Sequence, residues 1–175
     1  NCKKCNHSFF KARALFKAQD LPREVIHRFK CDRSEFFAPL IMKWLNKATN
    51  LDLNTQPTAI IPVPLHSTKQ RERGFNQAET LTEIVSCLFK APIINDLLIR
   101  IKPTYSQTHL SRCKRMNNVE GAFFCARKLV KGSYLLVDDV ITTGSTANAC
   151  ARALTDQGAT LVEVMTITRG TLRYI

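Results

Sequence analysis

Two adjacent carboxylates, Asp138 and Asp139, lie between an apolar run and a hydroxyl-rich run in Tyr134-Leu-Leu-Val-Asp-Asp-Val-Ile-Thr-Thr-Gly-Ser-Thr146. The apolar run reads as a buried strand over Tyr134 to Val137. It delivers both acids to its C-terminal end, the rim where open α/β sheets place ligands. Around Gly144 a short turn then leads into a helix. Backbone N–H groups of such a turn, with the helix N-terminus, form a cradle for a phosphate. Thr142, Thr143, Ser145 and Thr146 add hydroxyl donors. The helix dipole contributes only about 0.3–1 kcal/mol at an exposed site, so the convergence of many donors matters. The plainer alternative is an ordinary turn in which Ser145 caps the helix. Two acids at a buried edge weigh against it, because a desolvated carboxylate is costly unless paired or liganded.

A second chemical stretch is Ile61-Pro-Val-Pro-Leu-His-Ser-Thr-Lys-Gln-Arg-Glu-Arg-Gly-Phe-Asn-Gln77. Arg71 and Arg73 offer charge-assisted donors to a polyanion. For Arg73 the alternative is an arginine closing a helix, and for His66 a plain surface turn.

The elements that must position these groups alternate. Pro22 to Lys30 and Ser34 to Lys47 read as helices, the second with Phe36, Phe37, Leu40, Ile41, Trp44 and Leu45 on one face. Thr58 to Val63 is a short apolar strand ending at prolines. Asn76 to Lys90 is a helix whose Asn76 and Glu79 resemble a capping box. Pro92 to Ile101 contains a strand, Ser145 to Gln157 is a helix stopped by Gly158, and Thr160 to Thr168 is a strand. This order gives an α/β fold, a mainly parallel sheet flanked by helices. Lys102 to Val119 breaks the pattern: it is polar, basic and aperiodic, the mark of a functional or mobile loop.

The 175 residues fit one domain, with a small appendage at most. A formal charge of +12 favours polyanionic partners, with solubility alone as the bland alternative. Seven cysteines is an odd count, and five are scattered without framework spacing, which points to reduced thiols and a cytoplasmic protein. Only Cys2 and Cys5 have the spacing of metal ligands. No run of about eighteen apolar residues exists to span a membrane. The N-terminus shows no apolar signal region. Because the first residue is Asn, further residues upstream of it are left open.

The apolar run, the acid pair and Thr-Thr-Gly-Ser-Thr146 resemble the phosphoribosyl pyrophosphate signature of type I phosphoribosyltransferases. Pro-Val-Pro-Leu65 followed by Arg-Gly-Phe-Asn-Gln77 is similar to the ComF branch of that superfamily. Weaker matches include Thr104, Gln107, Leu110, Arg115, Asn117, Gly121-Ala-Phe123 and the closing Thr168-Arg-Gly170, so the resemblance runs from about Phe16 to Gly170. It implies that Asp138 and Asp139 hold the ribose hydroxyls. Val140, Ile141, Thr142, Thr143, Gly144, Ser145 and Thr146 would bind the phosphoribosyl part, and Pro64, Leu65, His66 and Arg73 the pyrophosphate. It further implies a mobile loop carrying Gln107, Arg112 and Arg115, with Mg²⁺ accompanying the diphosphate. Relatives often carry an N-terminal zinc ribbon. Residues 1–15 are then a remnant of it, with Cys2 and Cys5 a Zn²⁺ half-site and His7 a third candidate; no fourth ligand is evident, and the alternative is an orphaned half-site that holds no metal. Residues 16–175 form the main domain. The implied activity is pentosyl transfer with release of pyrophosphate, turnover being left open. The implied setting is natural competence, with single-stranded DNA or DNA-uptake proteins as partners. The alternative is a non-catalytic accessory or ligand sensor on the same fold.

Overall fold

Ala59-Ile-Ile-Pro62 and Tyr134-Leu-Leu-Val137 are apolar at every position, as strands covered on both faces require. The computed structural model describes residues 7–31, 37–47, 53–102 and 119–170. In it these two segments are neighbours in a four-stranded sheet built from β1 (Lys11–Lys17), β2 (Ala59–Pro62), β5 (Ser133–Ile141) and β6 (Leu161–Arg169). The strand order is β1-β6-β5-β2, and each neighbouring pair is parallel. A separate two-stranded antiparallel sheet pairs β3 (Leu98–Arg100) with β4 (Phe123–Cys125).

The period-two alternation of β5 divides the core. Tyr134 and Leu136 pack with Ile61, Val164 and the apolar side of α5 (Ser145–Thr155), beneath β3 and β4. Leu135 and Val137 pack with Ile60 and Met165 against α1 (Asp20–Cys31), α2 (Ala38–Lys47) and α4 (Gln77–Phe89). The α/β architecture with a parallel sheet flanked by helices is therefore as the sequence implies.

Several boundaries differ from the sequence reading. Strand β5 does not stop at Val137 but continues through both acids to Ile141, because β6 supplies ladder partners as far as Ile141↔Arg169. The first strand, β1 from Lys11, was not expected from the sequence. Strand β1 pairs with β6 from Lys11↔Glu163 to Lys17↔Arg169, although its lysines and alanines carry no apolar alternation. An edge strand needs little of it, and edge lysines discourage further pairing. A short helix, α3 (Ser67–Arg73), fills the stretch between β2 and α4, and β4 was not expected. Cys2, Cys5, Gln107, Arg112 and Arg115 lie outside the described residues.

The connections set the location of any site. From β2 the chain crosses through α4 to Ile93, which makes a parallel bridge to the outer side of Ile60. From β5 it crosses through α5, on the opposite face, to β6. The two crossovers thus leave the β2–β5 pair in opposite directions. The carboxyl ends of those two strands are thus a topological switch point, the position at which open α/β sheets place a ligand crevice.

Candidate functional site

Both chemical stretches reach that end of the sheet, although the 56 residues 78–133 separate them in the chain. The Val63 N–H donates to Val137 O at 2.9 Å, so the loop leaving β2 starts level with the acids leaving β5. Asn76 ties this loop down: its Nδ2 donates to Val63 O at 3.2 Å, while its Oδ1 caps α4 by accepting from the Ala78 N–H at 3.1 Å. The expected capping box is present in modified form, since Asn76 Nδ2 also donates to Glu79 Oε1 at 3.3 Å.

Asp138 and Asp139 are consecutive residues of one strand, so the pleat sends their side chains to opposite faces. The Asp138 Oδ1 accepts from the Asp139 N–H at 2.8 Å, which turns that carboxylate back toward the strand end. Asp138 is half-buried, and Asp139 is only 8% exposed. They do not stand side by side. They straddle the rim of the strand.

Past Ile141 the backbone turns through Thr142 and Thr143 to Gly144, whose φ of 78° is in the left-handed region. Gly144 is the N-cap of α5 and makes no side-chain cap bond, and Ser145 is the first helical residue. The plainer alternative, in which Ser145 caps the helix, is thereby set aside. The hydroxyls of Thr143 and Ser145 are 2.7 Å apart and hydrogen-bonded, and the Ser145 N–H reaches Thr143 Oγ1 at 3.3 Å. Thr142, Thr143 and Thr146 are half-buried, whereas Gly144 and Ser145 are buried. Behind the turn, the Gly170 N–H donates to Ile141 O at 2.8 Å. A Cβ at Gly170 would lie 2.7 Å from Thr142 Cγ2, so this glycine makes room for the turn.

On the β2 side, Pro64, Leu65 and His66 are half-buried. His66 is the N-cap of α3, its Nδ1 accepting from the Thr68 N–H at 3.3 Å. Arg73 lies in the last turn of α3, next to Gly74 at φ 77°, and its Nη1 donates to Gln77 Oε1 at 3.1 Å. Each of these two side chains has a helix-end role in addition to its place near the crevice. Arg71 is exposed.

Arg100, at the end of β3, was not singled out from sequence. Its guanidinium lies 5.4 Å from the centroid of the Phe123 ring. Burial lowers its pKa, opposed by the negative fields of Cys150 and Asp138. The Cys150 thiol is itself pushed well up, first by burial and then by Asp138, so at neutral pH it carries no charge. No motif could have flagged Arg100, because its surroundings depend on the β3–β4 sheet packing against α5. Among the described residues no group of three or more His, Cys, Asp or Glu could hold a metal ion. No described helix is long and apolar enough to cross a membrane.

No family model matches the chain. Individual proteins do. It is 40% identical over 116 residues to competence protein F of Haemophilus influenzae, covering 65% of this chain and 51% of that one. It is 31% identical over 152 residues to the DNA utilization protein YhgH of Escherichia coli O157:H7, covering 83% and 66%. With competence protein ComFC of Bacillus subtilis it shares 29% identity over 155 residues, covering 83% and 58%. These relatives support a place in the ComF family. The chain spans about half to two-thirds of the length of these ComF-type relatives.

Proposed function

We propose that this ComF-type chain binds phosphoribosyl pyrophosphate across the β2–β5 crevice, in the service of DNA uptake. The observation that carries the reading is the convergence at one topological switch point of two separate stretches: the acid pair with its hydroxyl turn, and the loop that leads to Arg71 and Arg73. In this arrangement the turn Thr142–Thr146 and the first turn of α5 hold the 5′-phosphate through N–H and hydroxyl donors. Asp138 and Asp139, on either side of the strand end, accept hydrogen bonds from the two ribose hydroxyls. The loop from Pro64 to His66, with Arg73 behind it, faces the diphosphate. The names of the relatives, which concern competence and DNA utilization, support the biological setting.

The chemistry suited to such a site is displacement at C1 of the ribose. A nitrogen nucleophile forms the C1–N bond and loses a proton. The C1–O bond breaks, and pyrophosphate departs with the electron pair. Asp138 and Asp139 would stabilise positive charge developing on the ribose. The donors at this rim are hard oxygens, which fit Mg²⁺, and that ion supplies charge neutralisation on the diphosphate when bound.

Calorimetry with the sugar diphosphate and Mg²⁺ tests the site: saturable binding is expected, and the Asp138→Ala, Asp139→Ala double variant should lose it while remaining folded. Release of pyrophosphate over a panel of bases and amines then tests turnover. A second reading, binding without turnover in a DNA-handling accessory, is favoured by the relatives' names and the +12 charge. Its signature is binding of labelled single-stranded DNA with a steep salt dependence and no pyrophosphate release.

A further inference from the structure

We infer that residues 7–10 form a strap that fixes the shape of the hydroxyl-rich turn, with Phe9 as its positioning residue; the inference rests on the phosphate-binding role proposed above. Three contacts hold the strap in place. The Phe10 N–H donates to Val162 O at 2.8 Å, extending the β1–β6 ladder by one bond. The Ser8 N–H donates to Asn148 Oδ1 at 2.6 Å. Between them the Phe9 ring lies against Gly144: a Cβ built there would meet Phe9 Cζ at 3.4 Å and Cε1 at 3.6 Å. His7 stacks on the outer side of that ring, with centroids 4.7 Å apart and planes 17° from parallel.

Asn148 links the strap to the turn twice over. Its side chain receives the strap's Ser8 N–H, and its own N–H donates to Gly144 O at 2.8 Å. Gly144 is thus held from one side by the first helical hydrogen bond of α5 and from the other by an aromatic ring. The ring matters because a left-handed glycine is the freest residue in the turn. Nothing in its own side chain keeps it at φ 78°. A phosphate held by N–H groups requires those groups to be oriented in advance, and a supporting shell that is loose by about 1 Å defeats such a site. Phe9 supplies that shell from the opposite end of the sequence. The segment that carries Cys2 and Cys5 therefore leads directly into the support of the ligand turn.

The test compares the full chain with Phe9→Ala, Phe9→Leu and Asn148→Ala, titrating phosphoribosyl pyrophosphate, ribose 5-phosphate and inorganic pyrophosphate by calorimetry. Removal of the ring or of the Asn148 link should weaken ribose 5-phosphate and the full ligand by about tenfold or more, the scale on which misplaced supporting groups act. Pyrophosphate alone, which the β2-side loop would take, should be unaffected, and Phe9→Leu should recover most of the loss. A merely structural role would weaken all three ligands together, in step with a lower melting temperature. That outcome, or wild-type affinity in both Phe9→Ala and Asn148→Ala, would overturn the strap while leaving the site itself intact. Failure of the unmodified chain to bind either phosphoribosyl ligand would sink the site and the strap together.

Discussion

Gly170 gives the sharpest test of how the turn is built, because one added carbon has one identifiable victim. A Cβ there comes within 2.7 Å of Thr142 Cγ2, while its other neighbours, Thr142 Cβ at 3.8 Å and Ile141 O at 3.9 Å, are at ordinary contact distance. Gly170 is not in the left-handed region, so alanine brings no backbone strain of its own. The clash is relieved by turning the Thr142 side chain out of its position. An off-rotamer side chain costs about 0.5–1.5 kcal/mol. In a protein of this size that corresponds to a loss of about 1–6 °C in melting temperature.

The larger effect should be on the ligand. If the Thr142 hydroxyl donates to a phosphate, its displacement removes a hydrogen bond to a charged group, about 1.5–3 kcal/mol. Affinity should then fall by about ten- to a hundredfold. The control is a double-mutant cycle by calorimetry with phosphoribosyl pyrophosphate. Thr142→Ala deletes both the hydroxyl and the clashing methyl group, so Gly170→Ala should cost almost nothing further in that background. Additive losses would refute the reasoning, since they would mean that Gly170 acts on the site by a route other than Thr142.

Other expectations follow from the same packing. Glu163, 1% exposed, forms a 2.5 Å ion pair with Arg13 and also accepts from the Asn54 N–H at 3.0 Å. Glu163→Gln leaves a buried guanidinium uncompensated and should cost about 3–5 kcal/mol in urea denaturation, much of it recovered by adding Arg13→Met. Asn76→Ala removes a helix cap and the tether to Val63 O, and should lower stability by about 1–2 kcal/mol. The folded Cys150 thiol keeps its proton to higher pH than its ordinary value of 9.0. Its contribution to stability is thus complete below that pH and is lost as pH rises from there through the folded value, because the unfolded chain then binds fewer protons. Denaturation between pH 8 and pH 10.5 should show this decline (a range chosen around the thiol's ordinary value), and Cys150→Ala should flatten it. At neutral pH, exposed Cys87 should react with a thiol reagent well before buried Cys125 and Cys150.

The elements that sequence made legible are those whose residues answer to local physics. Asn76 announced the start of α4 because a cap is a local hydrogen bond, and Ile60 to Val63 announced a strand because burial on two faces leaves no polar position. Strand β1 was hidden for the opposite reason. Its Arg13 is buried only because Glu163 lies 150 residues away in sequence and beside it in space. The end of β5 was misjudged because carboxylates disfavour strands, yet Arg169 and Thr168 on β6 hold the backbone extended to Ile141. The acid pair, the turn and the β2-side loop could all be named in advance. Their meeting was expected through the family resemblance alone, because it depends on crossovers in opposite directions that no local pattern encodes. Arg100 and Phe9 were missed on the same grounds: each acts through a residue remote in sequence.

The order of charges along the rim bears on which ligand suits it. On the β5 side stand uncharged donors, the Thr and Ser hydroxyls and the start of α5, and on the β2 side stand Arg71 and Arg73. Two carboxylates lie at the end of β5. A continuous polyanion such as a bare nucleic-acid backbone would meet Asp138 and Asp139 head-on, and like charges brought together out of water repel strongly. A molecule with phosphate at both ends and a neutral diol in the middle meets no such conflict. Each acid then accepts from a hydroxyl, and each phosphate finds donors. Replacing both acids with asparagine separates the two ligand classes: it should weaken the sugar diphosphate, by loss of two charged acceptors, and strengthen any binding of single-stranded DNA at this rim. Fluorescence anisotropy beside calorimetry on the same variant reads both, and a parallel loss of both ligands would contradict the charge order argued here.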